Sequence, residues 1–429
     1  MTRNTLNILA ISTLCTASIT FFDTPFEGYI FYIVYIATLP VLMLRTKLKV
    51  ESFILISLGF IILSTLLNIF LGNTTIDKSI KSLIAVVFPY FYYLVWVEYN
   101  KQNLPQIFSL YMKMCIIVIG IGYVQFFSSI TNFKWGYDYS WILNKWAITY
   151  IDSFSSIPRV NSIMPEPAHY VSLLSPAIFY VIFKLKNGSK NYVYATYLLL
   201  GYLLSTSTLG FLVLLVMYAV ISIRKIKLLP VISFGVISIT ATLLAYNNID
   251  LFKQRIDSLL FLSSNNDLND ITTSNVDLSS FTLVNNGYVT FKTILNSPFI
   301  GHGFGSRTLS YQRYSFLDPN SSFIDLNVED GSSLVFRIMS ELGLIGMLGF
   351  LYFLRKIYIR RAEATIVNFE LLELKAINNA CIVGLLPFLI RGSSFYLYGV
   401  PLYIWLAYYC QIQYDIRYRA FEMSLLNKS

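Results

Sequence analysis

Three ionisable side chains stand close together in "RVNSIMPEPAHYVSLLSP", a stretch that leads into an apolar run: Arg159, Glu166 and His169. The chain has only two histidines, so one of them here is a concentration of rare chemistry. A carboxylate and an imidazole three residues apart can share one face of a starting helix and exchange a proton with a bound group. Pro165 and Pro167 bracket Glu166, and proline suits a first helical turn, where its missing N–H has no partner. Each residue also has a plain structural reading: Glu166 as a charge complementing the helix dipole, His169 as an interfacial polar group, Arg159 as a solvated loop charge. Further candidates lie far along the chain. Arg337 and Glu341 are spaced i, i+4 inside an apolar run and can pair with each other. Arg391 lies in the short turn "FLIRGSSF", and Arg255, His302 and Arg307 lie in a long polar segment.

The elements that position these groups are membrane spans. Of 429 residues, 55% are hydrophobic and 13% charged, with a mean hydropathy of +0.60; soluble domains carry about 25% charged residues. A helix needs about 20 mostly apolar residues to cross the hydrocarbon. That rule predicts an all-α polytopic integral membrane protein, a single membrane domain over 1–429. It gives about twelve transmembrane helices, near 5–22, 26–44, 52–71, 80–97, 107–127, 169–184, 190–206, 208–223, 228–246, 333–354, 376–391 and 394–413. Arg3 precedes the first run, and no small-residue cleavage site follows it, so it reads as a retained span. Basic residues cluster after alternate spans: Arg45 and Lys47, Lys184 and Lys186, Arg224 and Lys225, Arg355 and Lys356, Arg417 and Arg419. By the positive-inside rule both termini are cytoplasmic. The net charge of +9 is therefore a topology signal, and no nucleic-acid partner is expected.

Two segments then face outward, 128–168 and 247–332, the second between helices 9 and 10. The second is rich in Asn, Ser and Asp. Within it Tyr288, Phe291 and Leu295 recur at helical spacing before Pro298 and a run of glycines. This predicts a short helix at the membrane surface followed by a tight turn. The first holds Trp135, Trp141 and Trp146, three of the five tryptophans, as an interfacial belt or a sugar-stacking surface. The four cysteines lie far apart in apolar runs and form no ligand set. No Walker loop is present, and "GHGFGS" lacks the preceding strand of a nucleotide site. No cofactor and no metal are expected.

Three stretches, in order, resemble the Wzy-type O-antigen and capsule polymerases. "RVNSIMPEPAHYVSLLSP" is similar to their Arg-then-EPxH stretch, "NSPFIGHGFGS" to their Gly-rich turn after a surface helix, and "SSLVFRIMSELGLIGMLGFL" to the span after their large outward loop. The resemblance implies a glycosyltransferase in the bacterial inner membrane. It would join undecaprenyl-pyrophosphate-linked oligosaccharides, donor and acceptor, into a surface polysaccharide, among membrane lipids and with a chain-length regulator as a further partner left open. It implies Glu166 or His169 as the base for the acceptor hydroxyl and arginines for the pyrophosphate leaving group. Arg159 and Arg391 come first, then Arg255 and Arg337, with His302, Arg307 and Glu341 as further candidates. The related O-antigen ligases carry a His-Asn pair where this chain has Ser332 and Ser333, which favours polymerase over ligase. The family also places an arginine where this chain reads "LVNNGY", so one phosphate contact is missing or comes from Arg255, Arg307 or Arg337. A lipid-linked oligosaccharide flippase fits the span count, but the chain shows no internal repeat.

Overall fold

The computed structural model describes residues 1–22, 28–48, 51–151, 154–222, 277–316, 331–360, 368–392 and 394–426, with a few positions of 246–260 and 328–329. The expected span at 228–246 and Arg255 lie outside the described residues, apart from Tyr246. The described residues are mostly helical, with one two-stranded ribbon among them. In order the helices are α1 (Arg3–Ser12), α2 (Ile30–Arg45), α3 (Ser52–Phe70), α4 (Ile76–Tyr99), α5 (Leu104–Ile130) and the single turn α6 (Lys134–Tyr137). The ribbon β1 (Tyr150–Ile151) and β2 (Phe154–Pro158) follows, then α7 (Pro167–Lys186), α8 (Tyr192–Leu203) and α9 (Thr208–Ser222). After the long polar segment come α10 (Leu278–Asn296), α11 (Arg307–Tyr314), α12 (Leu334–Ile357), α13 (Phe369–Val383), α14 (Leu386–Ile390) and α15 (Val400–Leu426).

Among the described residues six helical stretches are long and apolar enough to cross a membrane: α3, α4, α5 with the turn before it, α7, α12, and α13 continued by α14. By length and composition the chain is thus a polytopic membrane protein. The expected first span, 5–22, is a shorter structure. Its helix ends at Ser12 and a 3-10 turn covers Thr13–Cys15. The hydroxyl-rich sequence explains the stop. Thr13 and Thr16 turn their hydroxyls back onto the carbonyls of Ala10 and Thr13, a local bonding pattern that competes with helix continuation. The runs at 26–44, 190–206 and 208–223 form apolar helices of 16, 12 and 15 residues.

The core lies where α4, α7, α13 and α15 pack together. Tyr92 to Val97 of α4, Tyr170 to Phe179 of α7 and Leu402 to Cys410 of α15 are buried without a break. Helices apolar on all sides and buried on all sides belong at the centre of a bundle. By contrast, α3 leaves Leu55, Ile56, Leu63, Leu66 and Phe70 exposed, the pattern of a peripheral helix facing lipid. Tyr111 from α5 and Tyr403 from α15 both donate to the Leu173 carbonyl, tying three central helices at one point of α7.

Candidate functional site

The "RVNSIMPEP" segment is fixed by amides rather than charges. Gln125 of α5 accepts from the backbone N–H of Asn161 (3.1 Å) and Ser162 (2.8 Å), and donates to the Asn161 side-chain oxygen at 2.9 Å. The Asn161 amide donates to the carbonyls of Ala147, Met164 and Pro165 at 3.0–3.2 Å. Trp146 donates its indole N–H to the Ser162 carbonyl at 2.8 Å. Gln125, Asn161 and Ser162 are fully buried, and Ser162 takes a positive φ of 53°. Satisfied polar networks of this kind specify one backbone path. The clamp sends Arg159 out at one end, its guanidinium reaching the Thr206 carbonyl at 3.5 Å. At the other end Glu166 caps α7, and its carbonyl accepts from the N–H groups of His169 and Tyr170. The Glu166 side chain is exposed at the positive end of the helix. His169 is half-buried and stacks on Tyr398, ring centroids 4.1 Å apart.

A second cluster gathers the remaining candidates. Helix α12 is broken at Gly343 (φ 64°, ψ −164°), and the Gly-rich turn fills the break. His302 N–H donates to the Ser340 carbonyl (2.9 Å) and Gly303 N–H to the Glu341 carbonyl (3.0 Å). In return Leu344 and Ile345 donate to the carbonyls of Pro298 and Phe299 at 2.9 and 3.1 Å. The groups freed by breaking a spanning helix are thereby paired, as apolar surroundings demand. Gly303 and Gly305 press the turn against Asn68, Thr65 and the Lys78 carbonyl, contacts a Cβ would occupy. Just above the break Glu341 is fully buried and pairs with Arg337 at 3.3 Å, the i, i+4 ion pair expected from the spacing. Arg337 also lies over the Phe395 ring at 4.9 Å.

Two sequence candidates take positions that the spacing does not reveal. His302 is buried, with Nδ1 3.0 Å from the Ser310 hydroxyl and Nε2 3.2 Å from the Asn296 amide nitrogen. The Asn296 N–H needs an acceptor, so the ring is neutral with its proton on Nδ1. Burial, then the Arg313 charge, lower its pKa from the ordinary 6.5 to about 4. His302 is a latch of the turn. Arg307 is buried as well: its guanidinium donates to Thr290 Oγ1 (3.1 Å) and to the carbonyl and side-chain oxygens of Asn286. Asn286 donates onward to Ser332 Oγ at 2.8 Å.

One turn joins both clusters. Arg391 at its start donates to the Ser279 carbonyl and hydroxyl of α10 at 2.6 and 2.5 Å. Phe395 meets Arg337 and, at 5.3 Å between centroids, Phe304 of the Gly-rich turn. Tyr398 meets His169. Arg159, Glu166 and His169 thus come from one clamped segment, and Arg337, Glu341, His302 and Arg307 from an interlocked pair of segments. Phe395 and Tyr398, three residues apart, touch one cluster each. Among the described residues no group of three or more His, Cys, Asp or Glu is placed to hold a metal ion. Of the three tryptophans between α5 and α7, Trp146 belongs to the clamp, while Trp135 and Trp141 are exposed and meet edge to face at 5.3 Å. No protein-family model matches the chain, and no curated protein matches it either.

Proposed function

We propose that the chain is a Wzy-type polysaccharide polymerase. In this reading it crosses the bacterial inner membrane about twelve times, with both termini cytoplasmic and the clustered ionisable groups on the outer face. The observation that carries the reading is convergence. The three stretches that resemble the polymerases lie between Arg159 and Leu351, yet all meet Phe395 or Tyr398, three residues apart.

The chemistry is glycosyl transfer between two lipid-linked oligosaccharides. The acceptor hydroxyl oxygen bonds to the donor's anomeric carbon while the bond from that carbon to the pyrophosphate oxygen breaks. The hydroxyl proton passes to His169 or Glu166, and undecaprenyl pyrophosphate leaves. Such a leaving group is already an anion and needs charge stabilisation more than a proton. Arginine forks suit its oxygens. Arg159 and Arg391 sit at the edges of the two clusters and are the first choices, with Arg337 behind them and Arg255 outside the described residues. Glu166 stands exposed beside a helix N-terminus, where an incoming hydroxyl can reach it. His169, steadied on Tyr398, has the geometry to orient or share that proton.

The chain's two departures from the family pattern bear on each other. Asn286, in the stretch where an arginine is expected, bonds to Ser332, at the first position of the ligase His-Asn pair. Arg307 lies against the same Asn286 and brings the positive charge by another route. That arrangement supports a polymerase over a ligase, since neither serine is a base.

The test is glycan analysis of a deletion strain. Polymerase loss leaves surface glycan capped with a single repeat unit, and complementation restores the ladder. A strain with an unchanged ladder overturns the proposal; loss of all transferred glycan points to a ligase, and inward-facing precursor accumulating points to a flippase.

A further inference from the structure

Helix α10 has two unlike faces. Asn285, Asn286, Val289, Thr290 and Thr293 are buried against α11 and α12. The opposite side carries Tyr288, Phe291, Leu295 and, just past the helix end, Phe299, of which the last three are 57–63% exposed. No charge interrupts this stripe; Lys292 beside it folds its ammonium over the Tyr288 ring at 5.3 Å.

The stripe does not end in open space. The Phe299 carbonyl accepts from Ile345, the second residue below the break in α12. Exposure of α12 changes at that same point. From Leu334 to Gly343 no residue is exposed, whereas Leu344, Ile345, Leu348, Leu351 and Tyr352 all are. The apolar face of a membrane-spanning helix therefore runs on into the stripe of α10, with the exposed Asn296 at its margin.

Length makes the continuity necessary. The helical part of α12 below the break, Leu344–Ile357, ends with Arg355 and Lys356 among its last residues. At 1.5 Å per residue it rises only about 21 Å. The hydrocarbon core is about 30 Å thick. About 9 Å of hydrocarbon thus stands above Gly343 on this side of the bundle. There α12 is covered, and the surface presented at that level belongs to α10.

We infer that α10 is a membrane-embedded element: Phe291, Leu295 and Phe299 sit among the acyl chains of the adjacent phospholipid leaflet, with Tyr288 and Lys292 toward its headgroups. The long polar segment is then anchored in lipid midway along its length. The same helix whose inner face holds Arg307 has its outer face in the bilayer. This inference needs only the membrane reading and stands apart from the glycosyl-transfer proposal.

The experiment uses the full chain in phosphatidylcholine liposomes, with bimane attached to Leu295→Cys or Phe299→Cys, and to Gln312→Cys on exposed α11 as the aqueous control. The unsubstituted chain supplies the background from its native cysteines. Doxyl-labelled lipid is expected to quench the labels at 295 and 299 several-fold more than at 312, and aqueous iodide to do the reverse. Iodide quenching at 295 equal to that at 312 overturns the inference. So does protection from both quenchers, which means that protein, a second copy or another partner, covers the stripe. If either labelled chain elutes abnormally, Phe291→Cys reads the same stripe one turn before Leu295.

Discussion

The backbones of Gly301 and Gly343 are in direct contact: a Cβ placed on Gly343 would lie 2.6 Å from the Gly301 nitrogen and 2.5 Å from the Phe299 carbonyl. Both glycines also have positive φ, 62° and 64°. Neither position accepts a side chain, because what it would strike is backbone. The left-handed conformation adds about 1 kcal/mol or more for any other residue, and separating the strands of this crossing strips four backbone hydrogen bonds. Gly301→Ala and Gly343→Ala should each lower thermal stability in detergent by several degrees and open the loop to protease. Gly349→Ala, on the same helix with nothing within 4 Å, should do neither. Equal melting of all three by fluorescence-detected gel filtration would show that the interlock is dispensable.

Arg307 is a test of whether a buried cation organises the segment around α10 and α11. Its fork is used by Thr290 and Asn286, so it fastens α11 to α10. Arg307→Met removes the donor to Asn286 Oδ1 and Thr290 Oγ1, the Asn286 carbonyl keeping the Thr290 hydroxyl, and should cost roughly 2–4 kcal/mol. Arg307→Lys keeps the charge but cannot reach both residues, and should recover only part of the loss. If the lysine variant melts with the parent, charge alone suffices and the fork is incidental.

What could be read from the sequence follows the range of the interactions. Hydropathy located α3, α4, α5, α7 and α12 within a few residues, because each helix satisfies its own backbone. The Arg337–Glu341 pair was legible for the same reason, being four residues apart on one helix. The turn after α10 was visible in its glycines, but its seat was not: Gly301 and Gly343 are joined by main-chain contacts, which leave no side-chain pattern. The role of Tyr398 was likewise hidden, since ring stacking with His169 links distant segments. The helix in the run 5–22 is shorter than its composition suggests, because composition records apolarity and not the hydroxyls that end the helix. Gln125 left a usable trace, an amide alone in the middle of an apolar stretch, "IGIGYVQFFSSI".

His302 makes the Gly-rich turn after α10 sensitive to acid. Its pKa in the folded chain is about 4, against 6.5 when unfolded, so between these values the unfolded chain binds more protons. Stability therefore rises with pH across that window and is lost as pH falls from 6.5 toward 4, with no further loss from this group below 4. The melting temperature at pH 4.5 should fall below that at pH 7. Part of the fall should vanish in His302→Gln, which keeps a hydrogen-bonding group but does not titrate. The same pH slope in parent and variant would assign the effect to other residues.

Gln125 sets where Arg159 and Glu166 emerge, although it carries no charge itself. Its oxygen serves the N–H groups of Asn161 and Ser162, and its nitrogen serves Asn161 Oδ1 and, at 3.3 Å, the Tyr137 carbonyl. Asn161 cannot compensate by rotating its amide, since its nitrogen already donates to three carbonyls. Gln125→Leu strands two buried backbone donors and should destabilise by about 2–4 kcal/mol. Gln125→Glu is nearly isosteric and keeps the acceptor for both N–H groups, yet turns a second acceptor toward two oxygens, so similar shape should not rescue it. The reporter is Trp146, whose indole is bonded to the Ser162 carbonyl inside the same clamp. Both variants should shift its emission to the red, measured with the other four tryptophans replaced by phenylalanine. Glu166→Gln, which alters the charge outside the clamp, should leave that emission where it is. A red shift in Glu166→Gln, or none in Gln125→Leu, would mean that the segment is held by its charges and not by its amides.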